Sequence, residues 1–290
     1  MDDLKNKVAV ITGAASGIGR ALALRLAGEG CGLGIVDLDG GGLTETRGLL
    51  SKYPQRVVPY VVDVANKEQI FTLAKNVARE QGGADLLINN AGISGAASFL
   101  DVPLDVMERF MQVNFWSVVY GCKAFLPQLL AKPIAHIVNV SSVEGMIAVP
   151  SMIAYTSSKF AIRGFTEVLR LDLRRTPVGV SCVFPGGVKT NIARNAVRLA
   201  KKYLEAHPEF APQMGPQLEN AEGLVAAFEA HAGTSAEEAA SVIVEGIRRN
   251  RWRILIGQDA TSLDELQRSH PEDYPEILSK VWPKGLGPEW

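Results

Sequence analysis

Residues 8–19 read VAVITGAASGIG, a short β-branched run that leads directly into glycines. Its apolar part is typical of a strand that is buried on both faces. A helical pattern of leucines follows the glycines, from Leu22 to Leu26. A glycine turn between strand and helix lets the backbone approach a pyrophosphate, whose charge is favoured by the free amides at the helix N-terminus. A plain tight turn is the alternative, but the strand before the turn and the helix after it favour cofactor binding.

The second predicted strand, residues 33–36, ends at Asp37. A carboxylate at this point can accept hydrogen bonds from both hydroxyls of an adenosine ribose, and it would face the 2′-phosphate of NADP. At ~4 Å and an effective dielectric constant of ~20, the two anions repel by up to about 4 kcal/mol. Ser16 and Leu38 supply no positive charge to offset this repulsion. The sequence therefore predicts NAD rather than NADP, unless Asp37 merely starts the turn over residues 39–42.

Several further apolar runs are typical of buried strands, and each is followed by small or polar residues. Residues 57–62 precede Asp63 and Val64, and residues 86–88 precede Asn90, Ala91 and Gly92. Residues 137–140 precede Ser142, and residues 180–184 precede Pro185, Gly186, Val188 and Thr190. An edge strand is predicted at residues 252–256. Helical patterns alternate with these runs, which indicates right-handed crossovers and a parallel sheet. We predict an α/β fold: a Rossmann-type, doubly wound, mainly parallel seven-stranded sheet with helices on both faces. Its binding crevice would lie at the carboxyl ends of the strands.

A helix predicted over residues 154–170 carries Tyr155 and Lys159 one turn apart on one face. A free tyrosine titrates near pH ~10, and a neighbouring cation favours the phenolate and brings the pKa toward neutrality. Such a pair can exchange a proton with a substrate oxygen. The same spacing also occurs by chance on exposed helix faces, so the pair does not decide the function by itself.

Two other polar residues can face the same pocket. Ser142 lies thirteen residues before Tyr155, and Pro150 between them supports a loop. Asn114 lies inside a helix predicted over residues 104–130, where asparagine is unfavourable. A hydrogen-bonded core amide and a functional amide explain Asn114 equally well.

A set of motifs, taken in order, closely resembles the short-chain dehydrogenase/reductase family, in the branch made of one Rossmann-type domain. The motifs are Thr12-Gly13-x-x-x-Gly17-Ile18-Gly19, Asp63, Asn89-Asn90-Ala91-Gly92, Asn114, Ser142, Tyr155-x-x-x-Lys159 and Pro185-Gly186-x-Val188-x-Thr190. Their order and spacing fit the family from about residue 5 to residue 190.

The resemblance implies a role for each matching residue. Tyr155 would be the general acid/base, and Lys159 would bind the nicotinamide ribose and lower the pKa of the tyrosine. Ser142 would hold the substrate oxygen, and Asn114 would anchor a water that links Lys159 to solvent. Asp63 would contact the adenine, and Thr190 the nicotinamide amide. The implied cofactor-binding set is Gly13, Ser16, Gly17, Ile18, Gly19, Asp37, Asp63, Val64, Asn90, Ala91, Gly92, Tyr155, Lys159, Pro185, Gly186, Val188 and Thr190.

Composition argues against several other classes of protein. The net charge of −1 and the isoelectric point near 6.5 leave no overall field that would attract nucleic acid or an acidic membrane. The first residues lack a signal-peptide pattern, and no apolar run approaches transmembrane length, so we expect a cytoplasmic protein. The cysteines and histidines lack ligand spacing, so we expect no disulfide framework and no metal site. They are Cys31, Cys122, Cys182, His136, His207, His231 and His270.

We expect one Rossmann-type domain over residues 1–257, with an insert at 191–231 and a tail at 258–290. The insert is amphipathic. In the family it resembles, an insert here forms a substrate lid, whose apolar side would suit a hydrophobic alcohol or ketone; packing on the body or on another subunit is the alternative. Basic residues of the insert could meet a carboxylate or a CoA-type phosphate, although a solvated face is the simpler explanation. The tail carries Trp282 and Trp290, which are costly to leave in water, so we expect it to pack on the body, at a subunit interface or over a neighbour's pocket. The resemblance implies a homodimer or homotetramer.

The sequence leaves three functional hypotheses. The first is an oxidoreductase that transfers a hydride between NAD(H) and an apolar secondary alcohol or ketone, with Tyr155 as general acid/base. The second is an NADP-dependent carbonyl reductase, which Asp37 disfavours. The third is an NAD-binding sensor or scaffold without turnover, which would have no need to keep Asn114, Ser142, Tyr155 and Lys159 together.

Overall fold

The computed structural model describes residue 1 and residues 3–281. Trp282 and Trp290, which we expected to pack, lie outside the described residues. The strands are β1 (Val8–Thr12), β2 (Gly32–Asp37), β3 (Val57–Val61), β4 (Leu86–Asn89), β5 (Ala135–Val140), β6 (Val178–Pro185) and β7 (Arg253–Ile256).

Helices connect the strands on both sides of the sheet. They are α1 (Gly17–Gly28), α2 (Gly40–Leu50), α3 (Lys67–Gln81), α4 (Leu104–Phe110), α5 (Ser117–Leu130), α6 (Ile153–Asp172), α7 (Ile192–Ala206), α8 (Ala211–Glu219), α9 (Ala221–His231), α10 (Ala236–Arg248), α11 (Gln258–Ser269) and α12 (Tyr274–Val281). A π-helical turn, Met111–Trp116, joins α4 to α5, and short 3₁₀ turns occupy Val143–Gly145 and Pro208–Phe210.

The strands form one parallel sheet in the order β3-β2-β1-β4-β5-β6-β7. The predicted seven-stranded, doubly wound fold is therefore confirmed. The chain reverses its direction of winding between β1 and β4, and ligands of such sheets bind at this switch point, beyond the carboxyl ends of the strands. Tight pairing in this region is visible in the register, which places Ile11 of β1 opposite Ile88 of β4.

The sheet is buried on both faces, as its apolar strands require. One face packs against α1 and α10, with Leu22, Leu26 and Ile243 at the centre of that core. The other packs against α3, α5 and α6, around Phe125 and Ile162. This two-sided core holds the carboxyl ends of the strands in a fixed row.

Side chains mark where several helices begin. Asp39 accepts from the amide of Gly42 at the start of α2, and Asn66 accepts from the amide of Gln69 at the start of α3. At α10, Ser235 and Glu238 form a reciprocal capping box. Each cap satisfies an amide that the helix itself leaves without a partner.

The structure is helical over the predicted residues 104–130, but the helix type changes in the middle, which the prediction did not include. A π-helical turn lies in its middle, where the amide of Ser117 bonds to the carbonyl of Gln112, five residues earlier. The interruption contains Asn114, and single π-helical turns of this kind are frequent at functional sites. The unfavourable asparagine therefore marks a real change of helix type.

The tail helices α11 and α12 lie on the body of the same chain. Ala260 and Leu278 are buried there. Arg253 of β7 is paired with Asp264 of α11, and the amide of Ala148 donates to the hydroxyl oxygen of Tyr274 at 3.0 Å. Among the described residues, no helix combines the length and apolarity that crossing a bilayer requires.

Candidate active site

The glycine turn after β1 is bound to the end of β4. The hydroxyl oxygen of Thr12 accepts from the amides of Asn90 and Ala91 at 2.9 and 3.0 Å. The side-chain amide of Asn90 donates back to the carbonyl of Thr12 at 2.9 Å. Asn90 thus acts on the shape of the glycine turn, a role that the sequence did not suggest, and Thr12 is a site residue to which sequence reasoning gave no role.

The turn needs glycine for steric reasons. Gly13 has a φ of +70°, which disfavours a side chain, and a Cβ atom at Gly19 would collide with the carbonyl oxygen of Gly13. At both positions the missing side chain lets the turn pack closely on itself and on Asn90.

The start of α1 has no side-chain cap, unlike α2, α3 and α10 but like α4, α6 and α7. Ser16 occupies the N-cap position, but its side chain makes no capping hydrogen bond, and the first turn carries no acidic residue. The first amides of a helix lack partners within the helix. They are a ready site for a phosphate group. Gly17, Ile18 and Gly19 therefore fit the pyrophosphate of a dinucleotide.

Asp37 lies at the carboxyl end of β2 with a fixed orientation. Its Oδ2 accepts from the amide of Ala15 at 3.0 Å, and its Oδ1 accepts from the amide of Asp39 at 3.1 Å. The carboxylate is therefore held against the glycine turn, where the ribose of an adenosine would lie.

Arg20 lies closer to the glycine turn than the sequence suggested. Its guanidinium donates to the carbonyl of Ala15, and it forms an ion pair with Glu45 at 2.9 Å. A positive charge is therefore present near Asp37, but Glu45 already partners it. The signal in the sequence was its position directly after the glycines.

Asp63 and Val64 follow β3, next to the crevice. Oδ1 of Asp63 accepts from the amide of Ala65 at 2.9 Å, which shapes the turn into α3. Oδ2 is 3.9 Å from the guanidinium of Arg109 on α4. The side of the crevice beyond β3 is therefore lined by one acidic and one basic side chain.

The structure brings Ser142, Tyr155 and Lys159 together at the end of β5, and all three are buried. The Lys159 ammonium lies 5.4 Å from the centre of the Tyr155 ring. It donates to the carbonyl of Val140 at 3.2 Å. One helix face and one strand end thus bring a phenol, an ammonium and an alcohol together at the carboxyl edge of the sheet.

Burial shifts both titratable members of this group toward their neutral forms. It raises the pKa of Tyr155, the nearby Glu144 carboxylate raises it further, and a hydrogen bond with Ser142 opposes them. Burial lowers the pKa of Lys159 to about 8, against the opposing influence of Cys182 and Glu144. In the protein by itself, burial and the Glu144 charge act against the lowering of the Tyr155 pKa that a neighbouring Lys159 cation is expected to cause, and that lowering stays a prediction.

Asn114 is fully buried, and both polar atoms of its side chain are hydrogen-bonded. Its Oδ1 accepts from the amide of Ile93 at 2.8 Å, and its Nδ2 donates to the carbonyl of Ile93 at 3.0 Å and to the hydroxyl of Ser158 at 2.9 Å. A Cβ atom at Gly92 would lie 3.1 Å from Oδ1 of Asn114 and 3.4 Å from Nζ of Lys159. Asn114 therefore connects the loop after β4 to α6 and lies beside Lys159.

The loop after β6 runs next to the glycine turn. A Cβ atom at Gly17 would lie 3.1 Å from Cγ2 of Thr190. The amide of Gly187 donates to Oδ2 of Asp259 in the tail at 2.6 Å, and Val188 forms an isolated bridge with Thr234. Asp259 is far away in the sequence, so no local pattern could have identified it.

Glu144 is the remaining site residue that sequence reasoning missed. Its backbone amide donates to the hydroxyl oxygen of Ser142 at 3.2 Å. Its Oε2 accepts from the hydroxyl of Thr156 at 2.8 Å. Burial raises the pKa of Glu144 to about 7, opposed by the Thr156 hydrogen bond and the Lys159 charge. The only signal in the sequence was a carboxylate two residues after Ser142.

A parallel sheet whose carboxyl edge carries a glycine turn, a fixed carboxylate and a buried phenol–ammonium pair is the arrangement expected of a nicotinamide-dependent oxidoreductase. The family model for short chain dehydrogenase matches residues 7–200. The chain belongs to the short-chain dehydrogenase/reductase family, and the resemblance inferred from its motifs is confirmed.

Similar proteins cover nearly the whole chain. A Mycobacterium tuberculosis protein described as an oxidoreductase, SadH, is 38% identical over 281 residues, 96% of each chain. Mouse estradiol 17-beta-dehydrogenase 11 is 30% identical over 275 residues, which are 94% of this chain and 82% of the mouse protein. A short chain dehydrogenase/reductase from Burkholderia phymatum, solved in complex with NAD, is 32% identical with a TM-score of 0.81, over 94% of this chain and 96% of that chain.

Proposed function

We propose that the protein transfers a hydride between NAD(H) and an apolar secondary alcohol or the matching ketone. The observation that carries this proposal is the burial of Tyr155 and Lys159 beside Ser142, at the carboxyl edge of the sheet. A phenol and an ammonium are costly to bury, and such perturbed groups cluster at functional sites. A sensor without turnover would have no use for this arrangement.

NAD is the proposed cofactor because of the position of Asp37. Its carboxylate is fixed by the amides of Ala15 and Asp39, so it cannot readily turn away from a 2′-phosphate. The protein from Burkholderia phymatum was solved with NAD. The proposed contact residues are Gly13, Ser16, Gly17, Ile18, Gly19, Asp37, Asp63, Val64, Asn90, Ala91, Gly92, Tyr155, Lys159, Pro185, Gly186, Val188 and Thr190.

Each side chain of the pocket has a proposed part in the chemistry. The nicotinamide, when bound, supplies or accepts the hydride. Tyr155 gives its phenol proton to the developing alkoxide in ketone reduction and takes a proton from the alcohol in oxidation. Ser142 donates a hydrogen bond to the same oxygen. Lys159 would bind the nicotinamide ribose. Asn114 would anchor a water that links Lys159 to solvent.

The insert after Thr190 is proposed as the substrate lid. Tyr203 of α7 donates to Asp105 of α4 at 3.0 Å, so the insert is tied to the rim of the crevice. Arg194 is already paired with Glu229 within the insert at 2.9 Å. Its charge is therefore engaged, which favours an apolar substrate over a carboxylate for this part of the lid.

The rest of the proposal concerns organisation. Residues 1–257 form the catalytic domain, and residues 258–290 form a tail that packs on the body or on a neighbouring subunit. Val168 and Leu171 on α6 are exposed apolar side chains. Such residues suit a contact with a second copy of the chain. We propose a homodimer or homotetramer in the cytoplasm.

A specific observation keeps a second function open, namely NADP-dependent carbonyl reduction. The Arg20 guanidinium donates to the carbonyl of Ala15, whose amide donates to Asp37, and it could meet a 2′-phosphate if it left Thr46 and Glu45. Titration with NADH and NADPH separates the two functions. A preference for NADPH would contradict the assignment made from Asp37.

The same protein is then screened with secondary alcohols and ketones, by following the nicotinamide absorbance. Tyr155→Phe should lower turnover by about 10²–10⁴-fold, because general acid/base catalysis is lost. Its affinity for NADH should stay close to that of the parent, since the phenol oxygen alone is removed. Tyr60→Phe, which removes a phenol hydroxyl bonded to Glu80 and Gln81, is the matched control. Full activity of Tyr155→Phe would refute the role of Tyr155.

A further inference from the structure

Glu144 is hydrogen-bonded to the segment that carries Ser142 and to the segment that carries Tyr155. Glu144 follows Ser142 in the 3₁₀ turn Val143–Gly145, and Thr156 follows Tyr155 in the first turn of α6. Glu144 contacts both segments: its amide donates to Ser142, and its carboxylate accepts from Thr156. The function proposed above uses neither Glu144 nor Thr156.

Tight packing fixes this turn against α6. A Cβ atom at Gly145 would collide with the hydroxyl of Ser141 and lie 2.9 Å from the carbonyl oxygen of Lys159. The hydroxyl of Ser141 donates to that same carbonyl at 2.8 Å. The backbone next to Glu144 is therefore held against α6, and the Thr156 hydroxyl holds its carboxylate.

We propose that Glu144 is a positioning residue for the proposed proton transfer. Its backbone amide holds the Ser142 hydroxyl, and its carboxylate supplies a negative charge that disfavours ionisation of Tyr155. This inference rests on the proposed function, because it assigns Glu144 to the proton transfer that Tyr155 performs. Thr156 anchors the carboxylate in the charged form by donating a hydrogen bond to it.

The other charged and titratable groups around the turn come from every element packed against it. Lys159 on α6 attracts the carboxylate, and Tyr155 on α6 is repelled by it as it ionises. Arg163 on α6 donates to the carbonyl of Gly145, and Cys182 lies on β6. Arg253 on β7 is paired with Asp264 on α11. Tyr274 on α12 accepts from the amide of Ala148.

The sign of the effect on Tyr155 follows from the charges. An ionised Glu144 disfavours a second negative charge nearby, so it raises the pH at which Tyr155 loses its proton. Protonation of Glu144 removes that repulsion. Since burial brings the pKa of Glu144 to about 7, its charge changes within the neutral range.

Glu144→Gln tests the proposal, because glutamine keeps the shape and an oxygen acceptor for Thr156 but cannot be charged. Profiles of kcat/KM against pH are measured for alcohol oxidation and ketone reduction. The midpoint of each profile should move to lower pH, because the Glu144 charge that disfavours the phenolate of Tyr155 is removed. A uniform loss of kcat/KM at every pH, with unmoved midpoints, would show a merely structural role and overturn the proposal.

Thr156→Val provides the second variant. It keeps the Glu144 charge but removes the hydrogen bond that favours the ionised form, so the carboxylate should ionise at higher pH. Thr156→Ser keeps the hydroxyl and should restore the parent behaviour. If serine fails to rescue the valine variant, the Thr156 hydroxyl is not the anchor and that part of the proposal fails.

An infrared titration tests the carboxylate without any turnover. The infrared band of the protonated Glu144 carboxyl is the one that Glu144→Gln lacks. In the parent, this band should disappear between pH ~6 and ~8. In Thr156→Val, it should disappear at higher pH. Ionisation of Glu144 near pH ~4, the usual range for glutamate, would overturn the inference. A substrate panel without turnover would instead count against the proposed function and leave this result standing.

Discussion

Burial is the main influence on the ionisable side chains inside this protein. It disfavours the charged form of His136, Glu144, Tyr155 and Lys159, and it raises the pKa of Cys31, Cys122 and Cys182 to about 12. The cysteines are therefore inert, buried thiols. His136, Glu144, Tyr155 and Lys159 can become charged only at a cost in stability or beside a partner. Glu144, Tyr155 and Lys159 lie at the same end of the sheet.

His136 carries a prediction about acid stability. Burial lowers its pKa to about 3. Its Nε2 lies 2.8 Å from the hydroxyl oxygen of Ser181, whose own proton is donated to the carbonyl of Arg251. Nε2 is therefore the protonated nitrogen of a neutral ring. The unfolded chain binds a proton below its pKa of ~6.5 and the folded chain does not, so the free energy of unfolding falls from pH ~6.5 toward pH 3.

His136→Gln should show a weaker fall in that interval, by up to about 4 kcal/mol at pH 3, because glutamine cannot take up the proton. Urea unfolding at pH 7, 5 and 4 measures the difference. The exposed His270→Gln is the matched control and should follow the parent. Equal pH dependence of His136→Gln and the parent would contradict the neutral, buried state of this histidine.

At the level of single residues, the sequence predicted those whose position follows from one element. Tyr155 and Lys159 share a helix face, and Ser142 follows a strand, so their meeting at one sheet edge follows from spacing. The pKa of Tyr155 could not be predicted, because it depends on its burial and on Glu144 across a turn. Asp259 reaches Gly187 from the tail, and only the folded chain shows that contact.

The helices differ in how their N-termini are satisfied, and this difference carries a prediction about elements. Ser235→Ala removes the side-chain acceptor for the amide of Glu238, which is one half of the capping box of α10. The free energy of unfolding should fall by about 1 kcal/mol. Ser16→Ala at the start of α1 is the matched control, because Ser16 makes no capping bond there.

Chemical denaturation of the two variants without cofactor measures this difference. We expect Ser235→Ala to unfold at lower denaturant concentration and Ser16→Ala to stay within about 0.5 kcal/mol of the parent. An equal loss in both would mean that the Ser16 side chain caps α1 in solution, and would argue against an open phosphate site.

Among the elements, strands and their order were predictable because the apolar runs alternate with helical periods, and each run is followed by small or polar residues. The π-helical turn was not. Residues 104–130 keep an apolar pattern throughout, whereas the turn contains Asn114, which bonds Ile93 and Ser158. A tertiary contact overrides the local period at that point.

The whole molecule depends on the tail more than a single Rossmann-type domain requires. Asp259 holds the loop after β6, Tyr274 accepts from Ala148 beyond the 3₁₀ turn, and Asp264 pairs with Arg253. Removing residues 258–290 should therefore lower Tm and raise KM for substrate, since both loops of the proposed site lose a support. Thermal unfolding and steady-state kinetics measure these effects.

Sedimentation of the same truncated chain tests the proposed role of the tail in assembly. Asp259→Asn and Tyr274→Phe, each in the full chain, separate the loss of single contacts from loss of the entire segment. Unchanged Tm, KM and assembly state after truncation would show that the tail has no role in the site or the oligomer.

If the proposed dinucleotide binds at the start of α1, the stability of the whole chain depends on the supply of that ligand. A ligand that completes this helix end stabilises the folded state by RT ln(1 + [L]/Kd), or about 2.7 kcal/mol at a hundredfold excess over Kd. Resistance to proteases would then rise and fall with the supply of dinucleotide. A cell short of the cofactor would degrade this protein faster and so hold less of it, with no separate regulator.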